Sequence, residues 1–239
     1  MNKYKTIFFD LDDTIINNTE SVRYAFKVIL NELGLIYNDE LFEKWLDFDK
    51  SYWHDFESGN VSLPIKIENS EDKLNYLRAN RFLIFFKDKN LDFQTASLLN
   101  KIYCANLGVN IIEIDGAKRL LEYLNNKYEL IIATNGPKDS AIEKLRKIDV
   151  EKYFSNIVSS DEVGFPKPTA QFFNYLFSKT NNKEKEKMLI VGDTLTIDVL
   201  GAVMNGIDSC WYNPYKKPIT DGITPIIMVD KLSQLHEKL

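Results

Sequence analysis

From about residue 110 to its end, the chain alternates short apolar runs with helical patterns. "LIIAT" (130–134), "NIVSS" (156–160) and "MLIVGD" (188–193) read as buried strands, and "SCWY" (209–212) and "IIMV" (226–229) repeat the signal more briefly. Pro137 suits the first turn of a helix carrying Ile142, Leu145 and Ile148. Pro168 suits a second, with Phe172, Phe173 and Leu176, and a third helix ends at Gly206. Strands joined by helices cannot turn back as hairpins, so they predict a parallel sheet covered on both faces. The expected class is α/β, a Rossmann-like doubly wound core.

One further strand opens the chain, at residues 4–9, and the ninety or so residues after it are mostly helical in pattern. Val22, Ala25, Phe26, Ile29, Leu30 and Leu33 recur at the helical period. Asn17 with Glu20 resembles a capping pair at the start, and Gly34 stands where a C-terminal cap belongs. Segments near 39–57, 70–86 and 92–107 continue the pattern. The expectation is an all-helical cap domain at 17–111, inserted into a core made of 1–16 and 112–239.

Thirty Lys and Arg against 35 Asp and Glu give a net charge of −5, which argues against nucleic-acid polymers and anionic membranes as partners. No apolar run approaches the ~18 residues of a membrane span. "MNKYKTIFFD" reaches acidic residues too early for a signal peptide. Cys104 and Cys210 are far apart and read as free thiols in a reducing compartment. The expected protein is cytoplasmic, a monomer or dimer.

In open parallel sheets, ligands bind beyond the carboxyl ends of the strands. Those ends carry Asp10 and Asp12, then Thr134 and Asn135, then Asp193, with Lys167 after the third strand and Asp198 five residues beyond Asp193. Taken singly, each residue reads as an ordinary turn or surface residue. Four separated segments delivering them to one sheet edge is a stronger signal than any single motif.

"DLDDT", "TNG", "FPKP" and "GDTLTID" resemble the four motifs of the haloacid dehalogenase superfamily of phosphohydrolases, and the helical insertion resembles that family's cap. "WHDFESGNVS", "SSDEVGFPKP" and "GIDSCWYNP" are similar, more narrowly, to the YjjG-type pyrimidine 5′-nucleotidases. The resemblance implies hydrolysis of a small phosphorylated metabolite with Mg²⁺ as cofactor. It implies that Asp10 attacks phosphorus and that Asp12 is the acid/base, with Thr134, Asn135 and Lys167 binding the phosphoryl group. Asp10, the carbonyl of Asp12 and Asp193 are then the metal ligands, and Asp198 supports the metal's waters or pairs with Lys167. Three crowded carboxylates, Asp13 included, are tolerable because a dication and a lysine sit among them. Asp13 itself is assigned to a turn or a local hydrogen bond.

Substrate choice is expected to lie in the cap, where Trp53, Arg78 and Arg81 are candidate contacts. Most of its aromatics, among them Trp45, Phe48, Tyr52, Phe56, Phe82, Phe85 and Phe86, are expected to be helical core. His54 and His236 are too far apart in sequence to suggest a site. Rival readings are a metal-free dehalogenase, which Asp12 speaks against, and a sugar-phosphate phosphatase or phosphoglucomutase-like enzyme of the same fold. A phospho-receiver domain has no place for the helical insertion. The favoured substrates are pyrimidine nucleoside 5′-monophosphates, dUMP included.

Overall fold

The computed structural model describes residues 3–57, 70–220 and 222–239. Strand β1 (Thr6–Phe9) leads into four helices, α1 (Asn18–Glu32), α2 (Asp39–Glu57), α3 (Ser70–Phe85) and α4 (Phe93–Leu107). Then come α5 (Ala117–Asn125), β2 (Glu129–Thr134), α6 (Lys138–Lys147), β3 (Asn156–Ser159), α7 (Ser160–Val163) and α8 (Ala170–Ser178). The chain closes with β4 (Met188–Gly192), α9 (Leu200–Asn205), β5 (Asp208–Tyr212), β6 (Ile227–Val229) and α10 (Leu235–Lys238). It divides into two compact units, Met1–Thr19 with Ile111–Leu239, and Glu20–Asn110.

The first unit holds a six-stranded sheet in the order β3-β2-β1-β4-β5-β6, every neighbouring pair parallel. The strand period of two decides which side chain goes where. Ile7 and Phe9 enter one core with Leu130, Ile132, Leu189 and Val191, backed by Leu120 and Leu124 of α5 and Leu145 of α6. Phe8 enters the opposite core with Ile131, Ala133 and Ile190, against Phe172 and Phe173 of α8 and Ala202 of α9. Each large apolar side chain so enclosed is worth ~1.5–3 kcal/mol, and burial on both faces is why these strands read as continuous apolar runs rather than alternating ones.

Helix α5 is absent from the sequence expectation. Its start carries no side-chain cap, since Gly116 fills the N-cap position at φ 79°, yet Leu120, Leu121 and Leu124 form a buried stripe. Two helix starts also shift. Pro137 is the N-cap of α6, and Thr169 caps α8 by accepting the Phe172 N–H, one residue beyond Pro168.

The helical unit is built around aromatic side chains. Trp45 is fully buried, with ring centroids 5.3 Å from Phe26 and 5.2 Å from Phe82, both stacked, and 5.7 Å from Tyr103 edge-on. Phe42, Phe82 and Phe86 are buried too, and Phe48 and Phe85 pack against them. These rings supply the unit's core, as the helical spacing predicts. The second half of "WHDFESGNVS" lies outside the described residues, as do the side chains of His54 and Phe56. No described helix is long and apolar enough to cross a membrane.

Candidate active site

The sheet order reverses where β1 meets β4, because the chain runs outward from β1 through β2 and β3, then returns to β1's other side. Ligand crevices form at such switch points. Asp10 prolongs β1 by one residue, its N–H donating to the Val191 carbonyl at 2.9 Å. The chain then turns tightly over Leu11, whose carbonyl accepts the N–H groups of Ile15 and Ile16 at 2.9 and 3.0 Å. Asp13 takes the left-handed conformation there (φ 59°) and its Oδ1 accepts the Thr19 N–H at 3.0 Å. That is a turn role, the short side chain holding a backbone N–H six residues further along.

Lys167 is the cation of the site. Its side chain is 1% exposed, with Nζ 2.7 Å from Asp10 Oδ1 and 2.7 Å from Asp198 Oδ1. Burying an ammonium ion costs several kcal/mol, and two carboxylates in contact offset that cost. Burial works to discharge Lys167, but Asp10 and Asp198 outweigh it and hold the amine above its ordinary pKa. One lysine does not neutralise its surroundings. Burial pushes Asp10 well above the usual carboxylate range even against the nearby Lys167 charge. Asp193 is pushed up to about 7 by burial, then by the charges of Asp198 and Asp13.

Each group is held by its neighbours. Asn135 clamps the Lys167 backbone from both sides, Oδ1 accepting its N–H at 2.7 Å and Nδ2 donating to its carbonyl at 3.1 Å. Thr134 Oγ1 accepts the Gly136 N–H at 3.0 Å, and Thr14 Oγ1 donates to Asp10 Oδ2 at 3.3 Å. Asp198 lies in a π-helical turn, Leu195–Val199, where its Oδ2 accepts the Thr194 N–H at 3.1 Å. Gly192 makes room for it, because a Cβ there would fall 2.2 Å from Asp198 Cγ. On the other side, Asp12 Oδ1 accepts from Lys144 Nζ of α6 at 2.6 Å.

Asp10, Asp12, Thr134, Asn135, Lys167, Asp193 and Asp198 all line one cavity of about 220 Å³. That is smaller than the ~300–1,000 Å³ pockets that enclose drug-sized ligands. Oxygens of Asp10, Asp193 and Asp198 lie within 4.8 Å of one another, an all-oxygen set carrying more negative charge than Lys167 balances. That donor set fits a hard divalent cation such as Mg²⁺. Both carboxylate oxygens of Asp198 are already engaged, by Lys167 and by Thr194.

The three cap candidates belong to the helical unit. Arg81 is buried, paired with Asp49 at 2.7 Å and ringed by Trp45, Phe82 and Tyr103, its charge spent inside that unit's core. Trp53 and Arg78 are partly buried, and the Arg81 guanidinium lies 5.7 Å from the Trp53 ring. Sequence reasoning did not single out Thr14, Lys144 or Gly192. The last stands beside Asp193 in a quoted motif and was legible as a site of close approach.

Comparison with known proteins extends this picture. A model of the haloacid dehalogenase-like hydrolases matches residues 4–206. The chain is 29% identical over 239 residues to the HAD-hydrolase YfnB of Bacillus subtilis (strain 168), covering 100% of this chain and 97% of that one. It is 26% identical to the pyrimidine 5′-nucleotidase YjjG of Escherichia coli (strain K12), over 99% of this chain and 98% of YjjG. The pyrimidine 5′-nucleotidase PynA of Streptococcus pneumoniae (strain ATCC BAA-255 / R6) is 28% identical over 89% of this chain and 85% of its own. A crystal structure of YfnB bound to magnesium matches with a TM-score of 0.86 at 28% identity, over 100% of this chain and 99% of that one. With the family model spanning residues 4–206 of its 239, the chain belongs to the haloacid dehalogenase-like hydrolases.

Proposed function

We propose that this hydrolase, a phosphatase of its family, cleaves small phosphomonoesters through a phosphoryl group carried on Asp10, and that its substrates are pyrimidine nucleoside 5′-monophosphates, dUMP included. The observation that carries this is the buried Asp10–Lys167–Asp198 arrangement at the end of β1. It sets a carboxylate nucleophile beside the cation its target's phosphate requires.

A carboxylate oxygen of Asp10 attacks phosphorus as the ester P–O bond breaks, and Asp12 gives a proton to the departing alkoxide. Asp12 then takes a proton from water, whose oxygen attacks phosphorus and breaks the bond to Asp10, releasing inorganic phosphate. Lys167 and Thr134 hold the phosphoryl oxygens through both steps, and the Asn135 clamp keeps Lys167 in place. Asp10, Asp193 and the Asp12 carbonyl would hold Mg²⁺, while Asp198 restrains Lys167. When bound, the cation supplies the positive charge that lets a carboxylate approach a phosphate dianion.

Similarity to YjjG and PynA along nearly the whole of the chain supports the nucleotide reading. The test is a panel of nucleotides and sugar phosphates assayed with Mg²⁺ and with chelator. The proposal expects pyrimidine 5′-monophosphates to give the highest kcat/KM and chelation to abolish turnover. Sugar phosphates outrunning every nucleotide by an order of magnitude would overturn the substrate assignment.

A further inference from the structure

We propose that Lys144 is a positioning residue for Asp12, anchoring one of its carboxylate oxygens so that the other faces the reacting groups. This rests on the reading of Asp12 as the acid/base.

Lys144 Nζ lies 2.6 Å from Asp12 Oδ1 and 3.3 Å from Asn18 Oδ1. Its side chain is 13% exposed, and among the described ion-paired lysines only Lys167 is more enclosed. Surface pairs of mobile lysines contribute little, but an enclosed amine gripped by two oxygens fixes its partner's rotamer. The remaining oxygen, Asp12 Oδ2, lies over Gly136. A Cβ at that residue would sit 3.7 Å from Oδ2 and 3.4 Å from Thr134 Oγ1, so Oδ2 and the Thr134 hydroxyl share one face of the cavity. The helix that delivers Lys144 is itself fixed. Ala141 and Leu145 of α6 are buried in the core, and the Lys138 N–H donates to both Asp161 oxygens at 3.2 and 3.3 Å. Thus the amine is built onto a rigid element and ties down the side of Asp12 that does no chemistry.

The test compares Lys144→Met and Lys144→Arg with the parent, using dUMP and p-nitrophenyl phosphate in rapid-quench measurements of phosphoryl-Asp10. The alkoxide of dUMP needs a proton to leave, whereas nitrophenolate does not. Lys144→Met is expected to slow phosphoenzyme formation from dUMP by ~10–100-fold, part of the ~10²–10⁴-fold that a positioned general acid contributes. Formation from p-nitrophenyl phosphate should stay within a few-fold, KM should change little, and Lys144→Arg should recover part of the loss. Parental rates on both esters, or equal fold-losses on both, would overturn the proposal and leave Lys144 a structural role. If Lys144→Met does not fold, Lys144→Gln is read the same way. Asp12→Asn serves as the control: if it leaves dUMP turnover intact, the underlying reading of Asp12 has failed, whatever Lys144 does.

Discussion

Replacing Gly192 with alanine tests the architecture of the site at its tightest point. The new Cβ would fall 2.2 Å from Asp198 Cγ, 2.3 Å from its Oδ2 and 2.6 Å from its Cβ. Asp198 is 1% exposed and held at both ends, by Lys167 at 2.7 Å and by the Thr194 N–H at 3.1 Å, so it has nowhere to swing. Overpacking of this kind costs ~1–3 kcal/mol. At ~2–4 °C per kcal/mol for a domain of this size, Tm should drop by about 2–12 °C in a calorimetric scan. The functional loss should be larger than that cost implies, because moving Asp198 frees Lys167 from half of its restraint. Losing a donor such as Lys167 outright lowers kcat by ~10²–10³, which sets the upper bound for loosening it. The double variant Gly192→Ala/Asp198→Ala deletes the two nearest clashing atoms, so its stability should lie above the sum of the two single effects. A Gly192→Ala protein with parental Tm and kcat, or strict additivity in the double variant, would refute the steric argument.

The same geometry sets a pH dependence and a second mutational outcome. Asp193 is held near 7 against an ordinary 3.8, so between those values the folded protein keeps a proton that the unfolded chain has released. Metal-free stability should therefore fall as pH rises from about 4 to about 7, the Asp193 share being at most ~4 kcal/mol at ~1.36 kcal/mol per unit, and Asp10, also raised, adds to the fall with the same sign. Urea melts with and without Mg²⁺ at about pH 5 and about pH 8 should show the metal stabilising more at the higher pH; metal-free stability that rises across this window would contradict the assignment. Asn135→Ala removes both bonds to the Lys167 backbone, and kcat should fall by ~10–100-fold with a Tm change of only a few degrees; unchanged kcat would show that Lys167 needs no clamp.

How much of this was legible in the sequence depends on the range of the interactions. The sheet was legible because Ile7, Phe8 and Phe9, buried on both faces, leave a run that no amphipathic helix produces. The location of the cavity followed from topology, since residues just past β1, β2 and β4 must meet at one edge. Helix α5 carried its Leu120, Leu121 and Leu124 stripe but lacked a polar cap to announce it. Lys144 gave no local signal, for it meets Asp12 across 132 residues of chain and looks like any helix-surface lysine until the fold closes. The π-helical turn was likewise invisible, because it is made by a backbone bond, the Leu200 N–H donating to the Leu195 carbonyl, which no residue type announces. Arg81 shows the opposite difficulty: an arginine on a predicted helix suggests a displayed charge, yet this one is enclosed beside Asp49 and a wall of rings.

The most direct measurement is acid-quench trapping with p-nitrophenyl phosphate, whose leaving group needs no proton, Mg²⁺ and the Asp12→Asn variant, which lacks the base that clears the intermediate, followed by peptide mapping of the phosphorylated residue. The account predicts a phosphoryl group on the peptide "KTIFFDLDDTI", at Asp10, absent from Asp10→Asn. Full turnover with no trapped phosphate, or phosphate carried on another residue, would contradict it.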